Sequence, residues 1–283
     1  MDIRSVGVIG AGTMGNGIAQ TCAAAGVDVV MVDVDEAAVS RGVAAITGSL
    51  DRLVRKERIS LRDKDAAIAR IRGTTSYGSL GAADLVIEAA TENAAVKLRI
   101  FKEVEASVRD AAIIATNTSS ISITQLAAAT RNPQRFVGMH FFNPVPMMSL
   151  VEVVRGLQTD DATAAAVAAF AKKLGKTPIV MKNSPAFIVN RLLCPMLNEA
   201  IFALQEGLGT AEEIDTAMKL GCNHPLGPLA LSDLIGLDVV LAVIEVLYRD
   251  FQDPKYRPAL LLKEMVAAGY LGRKTGRGFF AYT

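Results

Sequence analysis

From Ser5 to about Lys182, short runs of Val and Ile alternate with longer, Ala-rich stretches whose apolar positions recur at helical spacing. The runs fall at 6–9, 27–32, 85–87, 113–115, 136–139 and 178–180. Strands alternating with helices predict an α/β domain, a mostly parallel sheet covered by helices on both faces. Beyond Ser184 the strand pattern stops. Ser184-Pro185 reads as an N-cap followed by proline at the first helical position, and Phe187, Leu192, Met196, Ile201 and Leu204 carry that helix to a stop at Gly207-Leu208-Gly209. Thr210 and Glu213 have capping-box spacing and open a second helix ending at Gly221. A third follows the loop with Pro225 and Pro228 and runs through Leu247, and a fourth goes from Pro258 to Gly269. The change of period predicts two domains, an α/β domain over 1–183 and an all-helical domain over 184–283.

Of 283 residues, 51% are hydrophobic and 21% charged, enough for more than one packed core and too apolar for disorder. Lys plus Arg (30) nearly cancels Asp plus Glu (29), with no long run of either sign. A nucleic-acid or membrane partner is therefore not expected, and any charged ligand must be met by a local site. No apolar run approaches the roughly 18–20 residues of a membrane span, and no secretion signal is expected at the start of the chain. Cys22, Cys194 and Cys222 have neither CxxC nor zinc-ligand spacing, so free thiols in a reducing, cytoplasmic compartment are expected.

Gly10-Ala11-Gly12-Thr13-Met14-Gly15 follows the first strand and precedes a good helix. Glycines there let the backbone turn tightly and approach a pyrophosphate, whose charge meets the unpaired N–H groups of the helix start. Asp33 ends the next strand, where a carboxylate accepts from ribose hydroxyls and repels a 2′-phosphate, and Val34 and Asp35 after it offer no base. These features predict a Rossmann-type domain binding NAD rather than NADP; a merely structural turn is the plain alternative.

Only two histidines exist. His140 closes an apolar run before Asn143-Pro144, and a second run, Leu150 to Val154, carries Glu152 in its middle. A lone acid among Leu and Val is costly to bury unless paired, and His140 on a neighbouring strand would suit it. Such a pair fixes the imidazole tautomer, as oxidation of a hydroxyl requires. Spacing alone fits equally well a solvated Glu on an edge strand and a structural His. His224, in a loop, reads as exposed or capping. There is no GxSxG elbow and no clustered metal ligand, so neither nucleophilic nor metal catalysis is indicated. Thr116-Asn117-Thr118-Ser119-Ser120 follows a strand and faces the ligand crevice of a parallel sheet, although N-capping would also explain its serines. Asn190 interrupts an apolar helix face, and Arg52, Arg55, Lys56 and Arg58 form a basic stretch that is either a solvated face or a phosphate site.

Taken together, GAGTMG (10–15), IEAATEN (87–93) with Lys97, TNTSS (116–120), HFFNPVP (140–146) with LVEV (150–153), PAFIVNRLL (185–193), IDTAMKLG (214–221), HPLGPLALSDLIGLD (224–238) and KTGRGFFAY (274–282) resemble the L-3-hydroxyacyl-CoA dehydrogenase family over the whole chain. The resemblance implies reversible, NAD-dependent oxidation of a short-chain (S)-3-hydroxyacyl-CoA such as (S)-3-hydroxybutyryl-CoA. His140 would be the acid–base, Glu152 its orienting partner, and Ser119 and Asn190 the substrate contacts. Gly10, Gly12, Thr13, Met14, Gly15, Asp33, Glu92, Lys97, Asn117, Ser119 and Asn143 would lie at the cofactor. A homodimer through the helical domain is also implied. Arg52 and Lys56 match the family less closely, and their assignment to the CoA phosphates rests on charge and spacing. Ala186 stands where the family's PGFIVNR segment has glycine, a small change on a predicted helix. The rivals are a two-domain 3-hydroxyacid dehydrogenase using a catalytic lysine, and a non-catalytic NAD-binding descendant of the family.

Overall fold

The computed structural model describes residues 2–282, and the chain divides into two compact units, Met1–Asn183 and Ser184–Thr283. The first runs β1 (Ser5–Ile9), α1 (Thr13–Ala24), β2 (Asp28–Val32), α2 (Glu36–Arg55), α3 (Leu61–Ala69), β3 (Ile71–Thr74), β4 (Leu85–Glu88), α4 (Ala94–Ser107), β5 (Ile113–Thr116), α5 (Ile123–Ala127), β6 (Phe136–Phe141), β7 (Leu150–Arg155), α6 (Asp161–Lys173) and β8 (Thr177–Lys182). The strands form one sheet in the order β3-β2-β1-β4-β5-β6-β7-β8, parallel throughout except for the antiparallel pair β6–β7. Chain order reverses beside β1, which has β2 on one side and β4 on the other, and such a switch point opens a crevice at the carboxyl ends of the strands.

Burial explains the near-continuous apolar runs of the central strands. β4 and β5 are buried along their whole length, and Val6, Val8, Val29, Met31, Leu85 and Ile87 join Ile18, Ala19 and Cys22 of α1 in the main core. Burial pushes the Cys22 thiol up to about 12, so it behaves as a small apolar side chain. At the sheet edge, β8 leaves Ile179 and Val180 about half exposed and carries Pro178, which has no N–H to offer a further strand.

The second unit contains α7 (Val189–Gln205), α8 (Ala211–Cys222), α9 (Pro228–Ile235), α10 (Leu237–Phe251) and α11 (Leu260–Ala267). Its first helix does not start at Ser184. Ala186 and Phe187 have φ of 58° and 56°, a left-handed pair that no α-helix can contain, and Ile188 is the N-cap. Ser184 instead closes a turn, its carbonyl accepting from Phe187 N at 3.0 Å and its hydroxyl from Arg191 Nη1 at 3.0 Å. Ala186 is thus a buried non-glycine residue in a left-handed position, so the departure from glycine noted above is not a helical one. The strain, about 1–2 kcal/mol, is offset in part by burying its methyl among Cys194, Val243, Ile244 and Leu247, worth about 0.8 kcal/mol.

The predicted third helix is likewise two, because Gly236 at φ 104° breaks the chain between α9 and α10. Buried carboxylates hold these short helices. Asp215 accepts from Leu229 N (2.8 Å) and Ala230 N (2.9 Å) at the start of α9. Asp233 accepts from Phe279 N and Phe280 N (both 3.0 Å) and from the Tyr282 hydroxyl (2.9 Å). Burial, together with the Asp233 charge, pushes that phenol up to about 12.

Candidate functional site

The glycines of the β1–α1 turn and of the first turn of α1 each do something different. Gly10 has φ 98°, and a Cβ there would collide with the Ala89 carbonyl oxygen at 2.7 Å, just past β4. A Cβ on Gly15 would overlap the Gly10 carbonyl oxygen, so this glycine lets α1 start tight against the turn. Gly12 is exposed, has nothing within 4 Å of its Cβ position and adopts an ordinary φ of −66°. Nothing in the protein requires glycine there. Gly12 is also the N-cap of α1 and supplies no side-chain cap, which leaves the first N–H groups without one beside the exposed Thr13, while Met14 packs partly against the core. Asp33, one residue past β2, braces this loop by accepting from Ala11 N at 2.6 Å and from Val34 N at 2.7 Å. An open glycine, uncapped helix N–H groups and a carboxylate at the end of β2 fit a dinucleotide with an unphosphorylated 2′-hydroxyl.

Beside it lie the loops after β4 and β5. Glu92 Oε1 gathers the 118–120 loop, accepting from Thr118 Oγ1 (2.8 Å), Ser119 N (2.7 Å) and Oγ (3.0 Å), and Ser120 N and Oγ (both 3.1 Å). Neither Ser119 nor Ser120 caps a helix; Ser122 caps α5. Asn117 Oδ1 accepts from Phe141 N at 2.8 Å and ties the end of β5 to β6. Lys97, matched by resemblance to the cofactor region, is instead turned inward. It is 1% exposed and its ammonium donates to Glu88 Oε2 at 2.5 Å, so its place is beneath the loops.

His140 and Glu152 are directly opposed in the antiparallel ladder of β6 and β7. Opposed residues point to the same face, which brings His140 Nδ1 to 2.7 Å from Glu152 Oε2, with both residues buried. With the carboxylate as acceptor, Nδ1 carries the proton and Nε2 is the acceptor nitrogen of the ring. The Phe142 ring packs against the imidazole, centroid to centroid 4.5 Å. His140 is the penultimate residue of β6, so the pair shares the carboxyl edge of the sheet with the glycine turn and Ser119.

Two features thus meet on one sheet, a dinucleotide turn and a buried His–Glu couple, and the comparisons with known proteins decide between the families that could own them. Residues 5–184 match the 3-hydroxyacyl-CoA dehydrogenase NAD binding domain, and residues 187–282 match the 3-hydroxyacyl-CoA dehydrogenase C-terminal domain.

The chain belongs to the 3-hydroxyacyl-CoA dehydrogenase family.

Among its relatives, a 3-hydroxybutyryl-CoA dehydrogenase from Bradyrhizobium diazoefficiens is 54% identical over 99% of this chain and 96% of its own. A probable 3-hydroxybutyryl-CoA dehydrogenase from Deinococcus radiodurans is 50% identical over 98% of this chain and 99% of its own. The crystal structure of (S)-3-hydroxybutyryl-CoA dehydrogenase from Ralstonia eutropha is similar over 100% of both chains, with 64% identity and a TM-score of 0.98. Membership in the 3-hydroxyacyl-CoA dehydrogenases makes the first unit an NAD-binding domain and the protein an oxidoreductase.

The remaining candidates are more dispersed. Asn143 is exposed just past β6, while Arg52 in the last turn of α2 and Lys56 at its C-cap are exposed on its surface. Asn190 is half-buried in the first turn of α7, in the second unit. His224 follows the left-handed Asn223 at the end of α8, and no cluster of metal ligands occurs among the described residues. Glu88 and Thr116 lie within the IEAATEN and TNTSS strings, which assign them no role; they share one rung of β4 and β5 and bond side chain to side chain at 2.7 Å. Their pairing has no trace in the sequence beyond a polar residue closing each of two buried strands.

Proposed function

We propose that this enzyme catalyses the reversible, NAD-dependent oxidation of (S)-3-hydroxybutyryl-CoA, or a similarly short (S)-3-hydroxyacyl-CoA, to the 3-ketoacyl-CoA. The observation that carries the reading is the His140–Glu152 pair, buried and bonded at 2.7 Å on the cofactor edge of the sheet. His140 takes the 3-hydroxyl proton at Nε2 while Glu152 holds the ring and balances the imidazolium. Bound NAD supplies the hydride acceptor. Ser119, whose hydroxyl and amide are held by Glu92, orients the substrate oxygen, and Asn190 is a further substrate contact by its match to the family's asparagine. In the reductive direction His140 returns the proton to the ketone oxygen.

Gly10, Gly12, Thr13, Met14, Gly15, Asp33, Asn117 and Asn143 form the cofactor set in this proposal, with Lys97 supporting from beneath. The decisive experiment follows NADH consumption with acetoacetyl-CoA and, beside it, NAD reduction with free 3-hydroxyacids. Activity confined to the free acids would overturn the reading. Arg52 and Lys56 would hold CoA phosphates as point charges, both being exposed on one helix end. Lys56→Ala should then raise KM for acetoacetyl-CoA about three- to tenfold with KM for NADH unchanged, and an unmoved ester KM removes that role. The proposal includes a homodimer through the helical unit, supported by the exposed Leu192, Leu208, Leu220 and Leu260, and sedimentation as a monomer would refute it. Cytoplasmic location is supported by three cysteines without a disulfide, and fractionation of expressing cells tests it.

A further inference from the structure

Beneath the cofactor edge of the sheet lies an ion pair that the reaction as described does not use. Glu88, the last residue of β4, and Lys97, in the first turn of α4, are 0% and 1% exposed and pair at 2.5 Å. The Thr116 hydroxyl donates to the same oxygen of Glu88 at 2.7 Å and accepts from Lys97 Nζ at 3.4 Å. The other oxygen, Oε1, accepts from Ala90 N at 2.9 Å, and it is against Ala89 and Ala90 that the Gly10 turn packs. Taking two charges out of water is expensive, and an apolar pair of similar shape in such a place is as stable or more so. Stability alone therefore does not account for charges here.

Their reach does. Lys97 Nζ stands 3.7 Å from Glu92 Oε2. The opposite oxygen of that carboxylate, Oε1, is the one that gathers Thr118, Ser119 and Ser120. Glu92 is 42% exposed and sits in a loop, so its side chain has rotamers to explore. A cation fixed from below by Glu88 and Thr116 selects the rotamer that holds the Ser119 loop. The chain of contacts runs Glu88, Lys97, Glu92, Ser119, each link a charge or a charge-assisted hydrogen bond.

We infer that Glu88 and Lys97 are positioning residues, which act through Glu92 to hold Ser119 in the geometry the hydride-transfer reaction needs. This rests on the dehydrogenase reading and on Ser119 as its substrate contact. Neither residue touches substrate; both act on where Ser119 stands.

The apolar double replacement Glu88→Leu with Lys97→Met separates positioning from stability. Its fold should survive, because no buried charge is left alone, with the denaturation midpoint lowered only by the acceptor that the Thr116 hydroxyl and Ala90 N lose. Its kcat is read at saturating NADH, with the Kd for NADH titrated beside it by fluorescence, because Lys97 belongs to the proposed cofactor set and Glu88 holds Ala90 under the glycine turn. Its kcat with acetoacetyl-CoA should fall at least about tenfold, as loss of placement by an ångström or less can cost. In a Ser119→Ala background the same double replacement should cost less than about twofold more, because its target is already gone. A stable double variant with wild-type kcat overturns the inference, and so does a full additional loss in the Ser119→Ala background. Should the double variant fail to fold, Thr116→Val removes the hydroxyl between the two charges in nearly constant shape. A kcat lowered about threefold, and only where Ser119 is present, supports the inference, while an unchanged kcat overturns it. A wild-type enzyme inactive on acetoacetyl-CoA would instead strike the functional reading itself.

Discussion

His140→Ala and Glu152→Gln should each lower kcat by at least about 10²-fold while NADH still binds, the usual contribution of a positioned acid–base. The two variants fail for different reasons. Without the ring no group accepts the hydroxyl proton. With an amide in place of the Glu152 carboxylate, nothing opposite Nδ1 balances the imidazolium, and the amide can itself donate, turning the ring to the wrong tautomer. Removing the ring also takes from a buried carboxylate, 1% exposed, a hydrogen bond at 2.7 Å, and a hydrogen bond to a charged group is worth about 1.5–3 kcal/mol. Turnover must therefore be measured beside a melting curve and an NADH titration. Near-wild-type turnover in either variant would sink the mechanism.

A methyl group at either of two neighbouring glycines should cost NADH binding, but at only one of them should it cost stability. Gly15→Ala drives its Cβ into the Gly10 carbonyl, backbone against backbone with no flexible side chain to yield. We expect a loss of about 3 kcal/mol or more, at the upper end of overpacking, and NADH binding lost with the turn. Gly12→Ala meets nothing within 4 Å and keeps an unstrained φ of −66°. Its stability should stay within about 1 kcal/mol of wild type, the residual being the poorer N-cap. Its Kd for NADH should nonetheless rise at least about tenfold, about 1.4 kcal/mol, because the methyl occupies the approach to the pyrophosphate. Equal stability losses in both variants, or an unchanged Kd in Gly12→Ala, would contradict this division of labour. Urea titrations with and without NADH decide it.

The central strands are legible because both faces are buried, leaving near-continuous apolar runs such as Leu85 to Ile87. β3, Ile71-Arg72-Gly73-Thr74, has one large apolar residue and owes its strand to pairing with Val29 to Val32. Nothing local announces it. Ser184-Pro185 carries a genuine helix-start pattern, yet burial of Ala186 and Phe187 overrides it and delays the helix to Val189. The His–Glu couple is visible as a lone acid in an apolar run, which demands a partner, whereas its facing register needs the antiparallel ladder. The pairing of Glu88 with Lys97 is hidden, because a polar residue ending a strand and a lysine opening a helix are both ordinary on their own. Only the stacking of α4 under the ends of β4 and β5 makes them a pair.

The antiparallel rung of β6 and β7 fixes the spacing of His140 and Glu152 by counting residues along one hairpin. Twelve positions of chain separate the acid from the base. The cofactor turn, by contrast, is assembled from β1, β2 and the end of β4, segments far apart in sequence. The two halves of the site therefore answer to different changes of sequence: an inserted residue in the hairpin shifts Glu152 off His140 and leaves the dinucleotide turn alone, whereas a misfit between β1, β2 and β4 disturbs the turn and leaves the couple in register.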